Sequence, residues 1–447
     1  MLVPTGALGL GWDERALEAG LDAEPDAIVV DGGSTDSGPH YLGTGTSKYS
    51  RATTKAEWAS LMAARAKADV PLVIGSAGTC GADDAVDWLL DITREIAAER
   101  GEAVRVAALR CGQTAADMRV ALTEGRMQPL DPAPAADDQL LKSCTNIVAL
   151  AGAEQIRAAL ETGADIVVAG RTSDTASIAA LPLARGCHPG AAWHGAKIGE
   201  CGAFCTTRPG TGSVLLDFDG EGFAVSALGE GARATPGTVA AHMLYENADP
   251  FVLLEPGGHL DVRAARYDAQ GERSVRVTGS RWVRSERYTV KLEGARRVGY
   301  QTVSLVLVRE PAYVARIREW CESVERRARA RIAERMRAAD CDFELRRIGL
   351  DATLGALDRD ARAGTEVGVM AIVTADTQER AREVAKLLNP LLLHHGLDAD
   401  APDPTFAFPF SPPEMDRGPV HEFCLNHTLE LDDPMQAFRL QTLEFGP

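Results

Sequence analysis

One local pattern recurs along the first half of the chain: a short apolar run, then a polar loop, then a segment with helical spacing of apolar side chains. The apolar runs lie at 27–30, 70–75, 104–109, 146–150 and 165–169. Strands that alternate with helices form parallel sheets, because right-handed crossover helices return the chain to the same edge. The pattern therefore predicts an α/β fold with a doubly wound, mainly parallel sheet.

After the fifth run the sequence pattern changes to strands in which apolar and polar residues alternate. A long helix is then predicted from Ala312 to about Arg337. A chain of 447 residues is too long for one core, so several domains are expected. We predict an α/β substrate-binding domain at 1–210 and a β-rich continuation at 211–310. The long helix and a small C-terminal α+β lobe then form the region 311–447.

Composition excludes several classes of partner. The net charge is −17, with 47 basic against 64 acidic residues, which argues against binding to nucleic acid or to an anionic membrane. No apolar run approaches the roughly 20 residues that a membrane helix requires. The N-terminus lacks the features of a signal peptide, and nine scattered cysteines read as reduced thiols. We therefore expect a cytoplasmic protein.

The loop after the first run is unusually polar. Residues 31–39 hold two carboxylates and two hydroxyl groups that a turn alone does not need: Asp31, Ser34, Thr35 and Asp36. Open α/β sheets bind ligands at the carboxyl ends of their strands. The alternative is a helix cap by Ser34 or Asp36, which explains only one of the four side chains. We predict that these four residues bind substrate.

Polar loops at 75–81, 110–113 and 170–175 also follow apolar runs, so they should converge on the same rim of the sheet. Two arginines in these loops, Arg110 and Arg171, suit two-pronged capture of a carboxylate or phosphate. The alternative for each is a salt bridge at the rim.

Two further polar residues accompany Arg171. Thr172 adds a hydroxyl group to the predicted substrate site. Asp174 is a candidate base or metal ligand, with helix capping as the alternative.

Three more residues are candidates for proton transfer. Cys80 precedes a predicted helix, whose dipole favours a thiolate, and Cys201 lies between Glu200 and a glycine. The alternative for either cysteine is a small buried residue packed beside glycine. Glu200 follows an apolar turn, so burial could raise the pKa of its carboxyl into the range of a general acid or base.

Several stretches, in order, resemble the acyclic terpene utilisation (AtuA-like) family: Ile166–Asp174, Glu200–Ala203, Thr235–Pro250, Val275–Gly279 and Lys291–Tyr300. The resemblance covers roughly residues 5 to 310. It implies a fold and a catalytic face. It also implies a link to acyl-CoA chemistry, since the family is named for a gene cluster that degrades citronellol and geraniol through acyl-CoA intermediates.

These features together predict an enzyme with a small-molecule carboxylate or acyl-CoA as substrate. The expected class is a lyase (hydratase or dehydratase) or an isomerase that works by general acid/base proton transfer. One alternative is a racemase or epimerase that uses Cys80 and Cys201 as its two bases. Another is a non-catalytic subunit that binds acyl-CoA or a partner protein.

No cofactor is expected, with a divalent cation held by Asp31, Asp36 and Asp174 as the alternative. We also expect a homo-oligomer. The reason is apolar surface on the long C-terminal helix and on an aromatic loop that carries Phe406, Phe408 and Phe410.

Overall fold

The structure, a computed structural model, describes residues 1–210, 212–335, 341–404 and 406–447. By their internal contacts these residues form two compact units. The first unit comprises Met1–Arg296 and Phe423–Pro447, and the second comprises Arg297–Glu422. The three predicted domains, 1–210, 211–310 and 311–447, stay a prediction.

The strands of the described residues, in chain order, are β1 (Leu2–Val3), β2 (Ile28–Asp31), β3 (Leu72–Gly75), β4 (Val104–Arg110), β5 (Met127–Pro129), β6 (Asn146–Ala149), β7 (Ile166–Ala169), β8 (Val214–Phe218), β9 (Gly222–Ala227), β10 (Val252–Glu255), β11 (Gly258–Asp261), β12 (Arg266–Gln270), β13 (Ser274–Thr278), β14 (Arg281–Arg284), β15 (Tyr288–Val308), β16 (Cys341–Ile348), β17 (Val367–Ala375), β18 (Met415–Leu431) and β19 (Arg439–Phe445). Strands β15 and β18 each contribute residues to both units.

The helices, again in chain order, are α1 (Glu14–Asp22), α2 (Pro39–Thr44), α3 (Arg51–Ala68), α4 (Asp83–Arg100), α5 (Ala115–Thr123), α6 (Asp138–Ser143), α7 (Ala153–Glu161), α8 (Asp174–Ala184), α9 (Pro189–Gly199), α10 (Pro236–His242), α11 (Pro311–Ala315), α12 (Ile317–Ala333) and α13 (Gln378–His394). None of the described helices combines the length and the apolar character needed to cross a bilayer.

In the described part of the first unit, one sheet has the strand order β12-β13-β9-β8-β1-β2-β3-β7-β4-β19. Its centre, from β1 to β4, is parallel, and the flanking strands are antiparallel. The predicted α/β class with a mainly parallel central sheet is confirmed.

The central strands are apolar throughout because both faces of the sheet are covered. In β2, Ile28 and Val30 pack into one core cluster, whereas Val29 packs into the cluster on the opposite face. Strand β7 repeats this alternation with Ile166 and Val167. Since successive side chains of a strand point to opposite faces, a sheet buried on both sides requires continuous apolar runs. Helices on both faces make the sheet doubly wound.

One of the five predicted strands does not join this sheet. Residues Asn146–Ala149 form β6 as expected, but β6 pairs antiparallel with the beginning of β15. The other four runs supply β2, β3, β4 and β7. A short apolar run predicts that a strand forms, but it does not predict which other strand will pair with it.

The second unit has an antiparallel sheet in which β17 pairs with β16 and with the Tyr300–Val308 part of β15. The predicted long helix is divided into α11 and α12, and its predicted end at Arg337 lies outside the described residues. Phe406 does not supply exposed apolar surface, because it is buried against Tyr313 and Trp320. Phe410 is exposed. The homo-oligomer stays a prediction.

Two glycines give a matched test of how tightly the loops at the sheet rim pack. Gly81 and Gly101 share the same left-handed backbone, with φ of +63° and +61°. A Cβ on Gly81 would lie 2.1 Å from the backbone nitrogen of Arg171, whereas a Cβ on Gly101 would meet nothing within 4 Å. Gly101→Ala should therefore cost only the roughly 1–2 kcal/mol of left-handed backbone strain. Gly81→Ala should cost about 1–3 kcal/mol more, from the clash.

The measurement is the free energy of unfolding of both variants by chemical denaturation. Equal losses in the two variants would show that the loop at residues 75–81 can move away from Arg171.

Candidate functional site

A cleft of about 500 Å³ lies at the carboxyl-terminal rim of the parallel strands, within the first unit. The loops after β2 and β7 reach it, as their place in the sheet predicts. The predicted site residues that line the cleft are Ser34, Thr35, Asp36, Arg171 and Asp174. Three charged residues that we did not predict also line it: Glu246, Lys291 and Glu293.

Close backbone packing brings these loops together. A Cβ on Gly32 would lie 2.3 Å from the carbonyl oxygen of Ser76, so only glycine allows the loops after β2 and β3 to approach this closely. In the second of these loops, Ser76 and Thr79 have positive φ values of 49° and 79°. Such conformations are costly for residues with a Cβ, and they persist where the surrounding structure holds them.

A buried ion pair forms one wall of the cleft. The Arg171 guanidinium donates through Nε to Glu293 Oε2 at 2.8 Å, and Lys291 Nζ lies 2.7 Å from Glu293 Oε1. The Thr35 hydroxyl group lies 3.0 Å from both oxygens of the same carboxylate. Burial alone would raise the pKa of Glu293, but these two cations lower it to about 2. Glu293 is therefore ionised at neutral pH.

The protein holds Arg171 through its Nε and Nη1 nitrogens. Besides Glu293, its Nη1 donates to Ser76 Oγ at 3.1 Å and to the Thr172 carbonyl oxygen at 3.0 Å. The alternative reading, a salt bridge at the rim, therefore describes Arg171 better than a free substrate clamp. Lys291 is more accessible, with 39% of its side chain exposed.

Asp174 has the opposite environment from Glu293. Its Oδ1 is buried and accepts no hydrogen bond from any described residue, and the nearest Arg171 nitrogen lies 3.7 Å away. Burial raises the pKa of its carboxyl to about 7. The positive charge of Arg171 lowers this pKa, whereas the negative charge of Glu200 raises it further. Capping does not explain this residue, because Ser173 caps α8 by accepting from the Ala176 backbone nitrogen.

Asp31, at the end of β2, also has a buried Oδ1 that accepts no hydrogen bond. Burial raises its pKa well above the ordinary value, and the charge of Asp174 raises it further. Two carboxyl groups that repel each other's ionisation are typical of acid/base sites.

Glu200 is buried and paired. Its Oε1 accepts from Lys197 Nζ at 2.5 Å, and its Oε2 accepts from Thr175 Oγ1 at 2.6 Å. Burial raises the pKa of Glu200, as expected from the sequence, although Lys197 and Thr175 act in the opposite direction. Glu200 is not among the residues that line the cleft.

Behind the cleft, Glu200, Cys201 and His242 each offer one donor atom, and these three atoms lie within 4.8 Å of one another. The His242 ring is buried and stacks on Tyr245 with its centroid 5.5 Å away. Burial lowers the pKa of His242 to about 4 and raises that of the Cys201 thiol. In the described residues these donors converge closely enough for one ion, whereas the predicted set of Asp31, Asp36 and Asp174 is not such a group.

Asp31, Glu200 and Cys201 are not among the residues that line the cleft, and three further predicted site residues also lie away from its lining. Arg110 Nη2 donates to Asp87 at 2.6 Å, so the alternative of a rim salt bridge describes it. The Thr172 hydroxyl group donates to the Gly170 carbonyl oxygen at 2.9 Å and is buried. Cys80 is fully buried in a small apolar cluster, and this burial raises the pKa of its thiol, opposite to the effect expected from a helix N-terminus.

Sequence reasoning also missed Glu255, whose Oε2 is buried without a hydrogen-bond partner and whose pKa is raised by burial to about 8. A signal for Lys291 and Glu293 was present, since both belong to the stretch Lys291–Tyr300 that resembles the family. In β15 they lie at i and i+2 and so share one face. Glu246 has a φ of +50°, which the sequence does not reveal.

A doubly wound α/β sheet with a carboxylate-rich cleft at its carboxyl-terminal rim defines the class of protein. The sequence profile of the family described as acyclic terpene utilisation family protein AtuA matches residues 44–403. The chain belongs to this family, which confirms the resemblance. The match begins after the loop at residues 31–39 and continues beyond residue 310 into the second unit. Comparisons with curated proteins and with solved structures gave no significant match.

The pKa of Asp174 gives a test of its environment through stability. An unfolded aspartate has a pKa near 3.8, and the folded value is about 7. A carboxyl pKa that folding raises lowers stability as the pH rises between these two values. Asp174→Asn removes this loss, so the variant should gain thermal stability over the native protein from about pH 4 to about pH 7, with no further gain above that.

The melting temperatures of both proteins across this pH range provide the measurement. Asp138→Asn is the matched control, because Asp138 is also the first residue of a helix but is exposed. A difference between Asp174→Asn and the native protein that does not change with pH would contradict the raised pKa.

Proposed function

We propose that the protein is an enzyme of the lyase or isomerase class that transfers a proton next to a carboxylate or acyl thioester. The single observation that carries this proposal is Asp174. It lines the cleft, its Oδ1 has no hydrogen-bond partner, and burial brings its pKa to about 7. A general acid or base works best when its pKa lies near the working pH.

The cleft supports a division of roles. Asp174 is the candidate base that removes the proton from the substrate α-carbon. Lys291 is the candidate anchor for the carboxylate or thioester oxygen, since its ammonium group is partly exposed beside the cleft. Asp31, whose pKa is raised well above the ordinary value, is the candidate acid that protonates a departing hydroxyl group. In this scheme the ion pair of Arg171 and Glu293 forms the wall of the cleft and has a structural role.

The contacts of Glu200 support a positioning role for it. Both of its oxygens accept short hydrogen bonds from the protein, and its charge contributes to the raised pKa of Asp174. The burial of Cys80 gives no support to the two-cysteine racemase. Lys291 supports the proposal of a carboxylate or thioester substrate, and so do the acyl-CoA intermediates of the degradation for which the family is named.

The first experiment is a thermal-stabilisation screen of small carboxylates and acyl-CoA thioesters, because a ligand that binds the folded state raises its melting temperature. Each ligand found is then incubated with the protein in deuterium oxide. Deuterium at the α-carbon supports proton transfer, and net gain or loss of water identifies a hydratase or dehydratase. A ligand that binds tightly and exchanges no α-proton would instead indicate the non-catalytic binding subunit.

Two substitutions then separate chemistry from binding. Asp174→Asn should lower kcat by roughly a hundredfold or more, the usual effect of losing a general base, with KM little changed. Lys291→Met should raise KM by roughly tenfold or more, since it removes one charged hydrogen bond to the substrate. Steady-state kinetics on the exchanged substrate provide the measurement.

Asp138→Asn and Lys142→Met are the matched controls, because this aspartate and lysine form an exposed pair on α6. Both controls should retain native kinetics. Undiminished kcat in Asp174→Asn would remove Asp174 as the proton-transfer group.

A further inference from the structure

We propose a zinc-binding site formed by Glu200, Cys201 and His242 behind the cleft. The three donor atoms lie within 4.8 Å of one another, and each residue contributes a different donor: oxygen, sulfur and nitrogen. Ligands of a tetrahedral zinc ion, at bond lengths of about 2.0–2.3 Å, lie roughly 3.3–3.8 Å apart. The site therefore needs to contract by only about 1 Å at its widest pair.

His242 provides the second, independent observation. Its side chain is buried, and its Nε2 has no hydrogen-bond partner within the part of the chain that the structure describes. Buried polar atoms without a partner are rare in native proteins and call for an explanation such as an ion. Stacking on Tyr245 at an interplanar angle of 15° fixes the plane of the ring, so the imidazole is held ready for coordination.

The backbone at this place also favours a cation. Glu200 directly follows the last residue of α9, and His242 is the last residue of α10. The carbonyl ends of helices carry partial negative charge, which attracts cations. Both ligands therefore lie at a helix C-terminus, where this partial negative charge is concentrated.

The hydrogen bond from Lys197 does not prevent Glu200 from binding a metal ion. A carboxylate has about four lone-pair positions, and Glu200 uses two of them for Lys197 and Thr175. The remaining positions are available to a metal ion. The positive charge of Lys197 weakens binding of a divalent ion, but a thiolate at Cys201 would compensate for it.

The donor set selects the metal. Thiolate and imidazole are ligands of zinc and other borderline-soft ions, whereas magnesium and calcium prefer oxygen alone. Binding converts the Cys201 thiol to a thiolate and releases one proton to solvent, while His242 coordinates as the neutral imidazole. Three protein ligands leave a fourth position for water or a substrate oxygen, as in catalytic zinc sites. The proposal of this zinc site is independent of the proposed reaction.

The test begins with the full chain, reduced and stripped of metal by a chelator. Zinc titration followed by calorimetry should show one ion per chain. Cobalt(II) in place of zinc should give a cobalt–thiolate charge-transfer absorption in the near ultraviolet, which requires sulfur in the coordination sphere. This spectrum needs no variant, so it tests the proposal even where a substitution prevents folding.

Variants then assign the ligands. Cys201→Ala and His242→Ala should each weaken zinc binding by roughly a hundredfold or more, since loss of an outer-shell partner alone costs 10–100-fold. Cys187→Ala and His394→Ala, which change a cysteine and a histidine elsewhere, should leave it unchanged. The absence of zinc uptake by the native chain, a cobalt complex without thiolate absorption, or native affinity in both ligand variants would overturn the site.

Discussion

The buried pair of Arg171 and Glu293 is the interaction on which the candidate site depends. Arg171 extends from the end of β7 and donates to the loop after β3 through Ser76. Glu293 belongs to β15 and accepts from Thr35 of the loop after β2. One ion pair thus joins four segments that are distant in sequence. Because removing one partner of a buried pair leaves an unpaired charge, such a pair tolerates little change.

The same rim contains more buried acid than the cations beside it can neutralise. Burial raises the pKa values of Asp31, Asp174, Glu200 and Glu255, so ionising them in the folded state is unfavourable. A fold selected for stability alone has no use for such groups. Sites that transfer protons do need them, because the environment that opposes ionisation also brings a carboxyl pKa towards neutrality.

Much of the scaffold could be predicted because it depends on local patterns. Continuous apolar runs identify strands covered on both faces, and polar loops after them identify the rim of the sheet at which the cleft lies. The partner of a strand is not a local property, and β6 therefore joined β15 instead of the central sheet. The loop phenylalanines show the same limit, since Phe406 packs into the core of the second unit while Phe410 is exposed.

For the site, the sequence identified that the loops after β2, β3 and β7 meet, but the fourth predicted loop, at 110–113, does not line the cleft. The sequence also did not identify which side chains remain accessible. Arg110 and Arg171 look alike in the sequence, yet Arg110 pairs with Asp87 outside the cleft and Arg171 forms its wall. Lys291 and Glu293 come from a strand about 120 residues after Arg171, and only tertiary structure brings them to the rim. Charge pairing of this kind depends on distances across the fold, which no local pattern encodes.

Glu200 connects the two regions of the site. Its negative charge is one reason that the pKa of Asp174 is raised, so any change that neutralises Glu200 lowers the pKa of Asp174. A divalent ion bound to Glu200 would have this effect, because it adds positive charge where the carboxylate now repels. The pKa of Asp174 is therefore set by the charge of Glu200 as well as by its own burial. Glu200 and the cleft therefore form one electrostatic unit, although Glu200 and the residues that line the cleft come from separate segments of the chain.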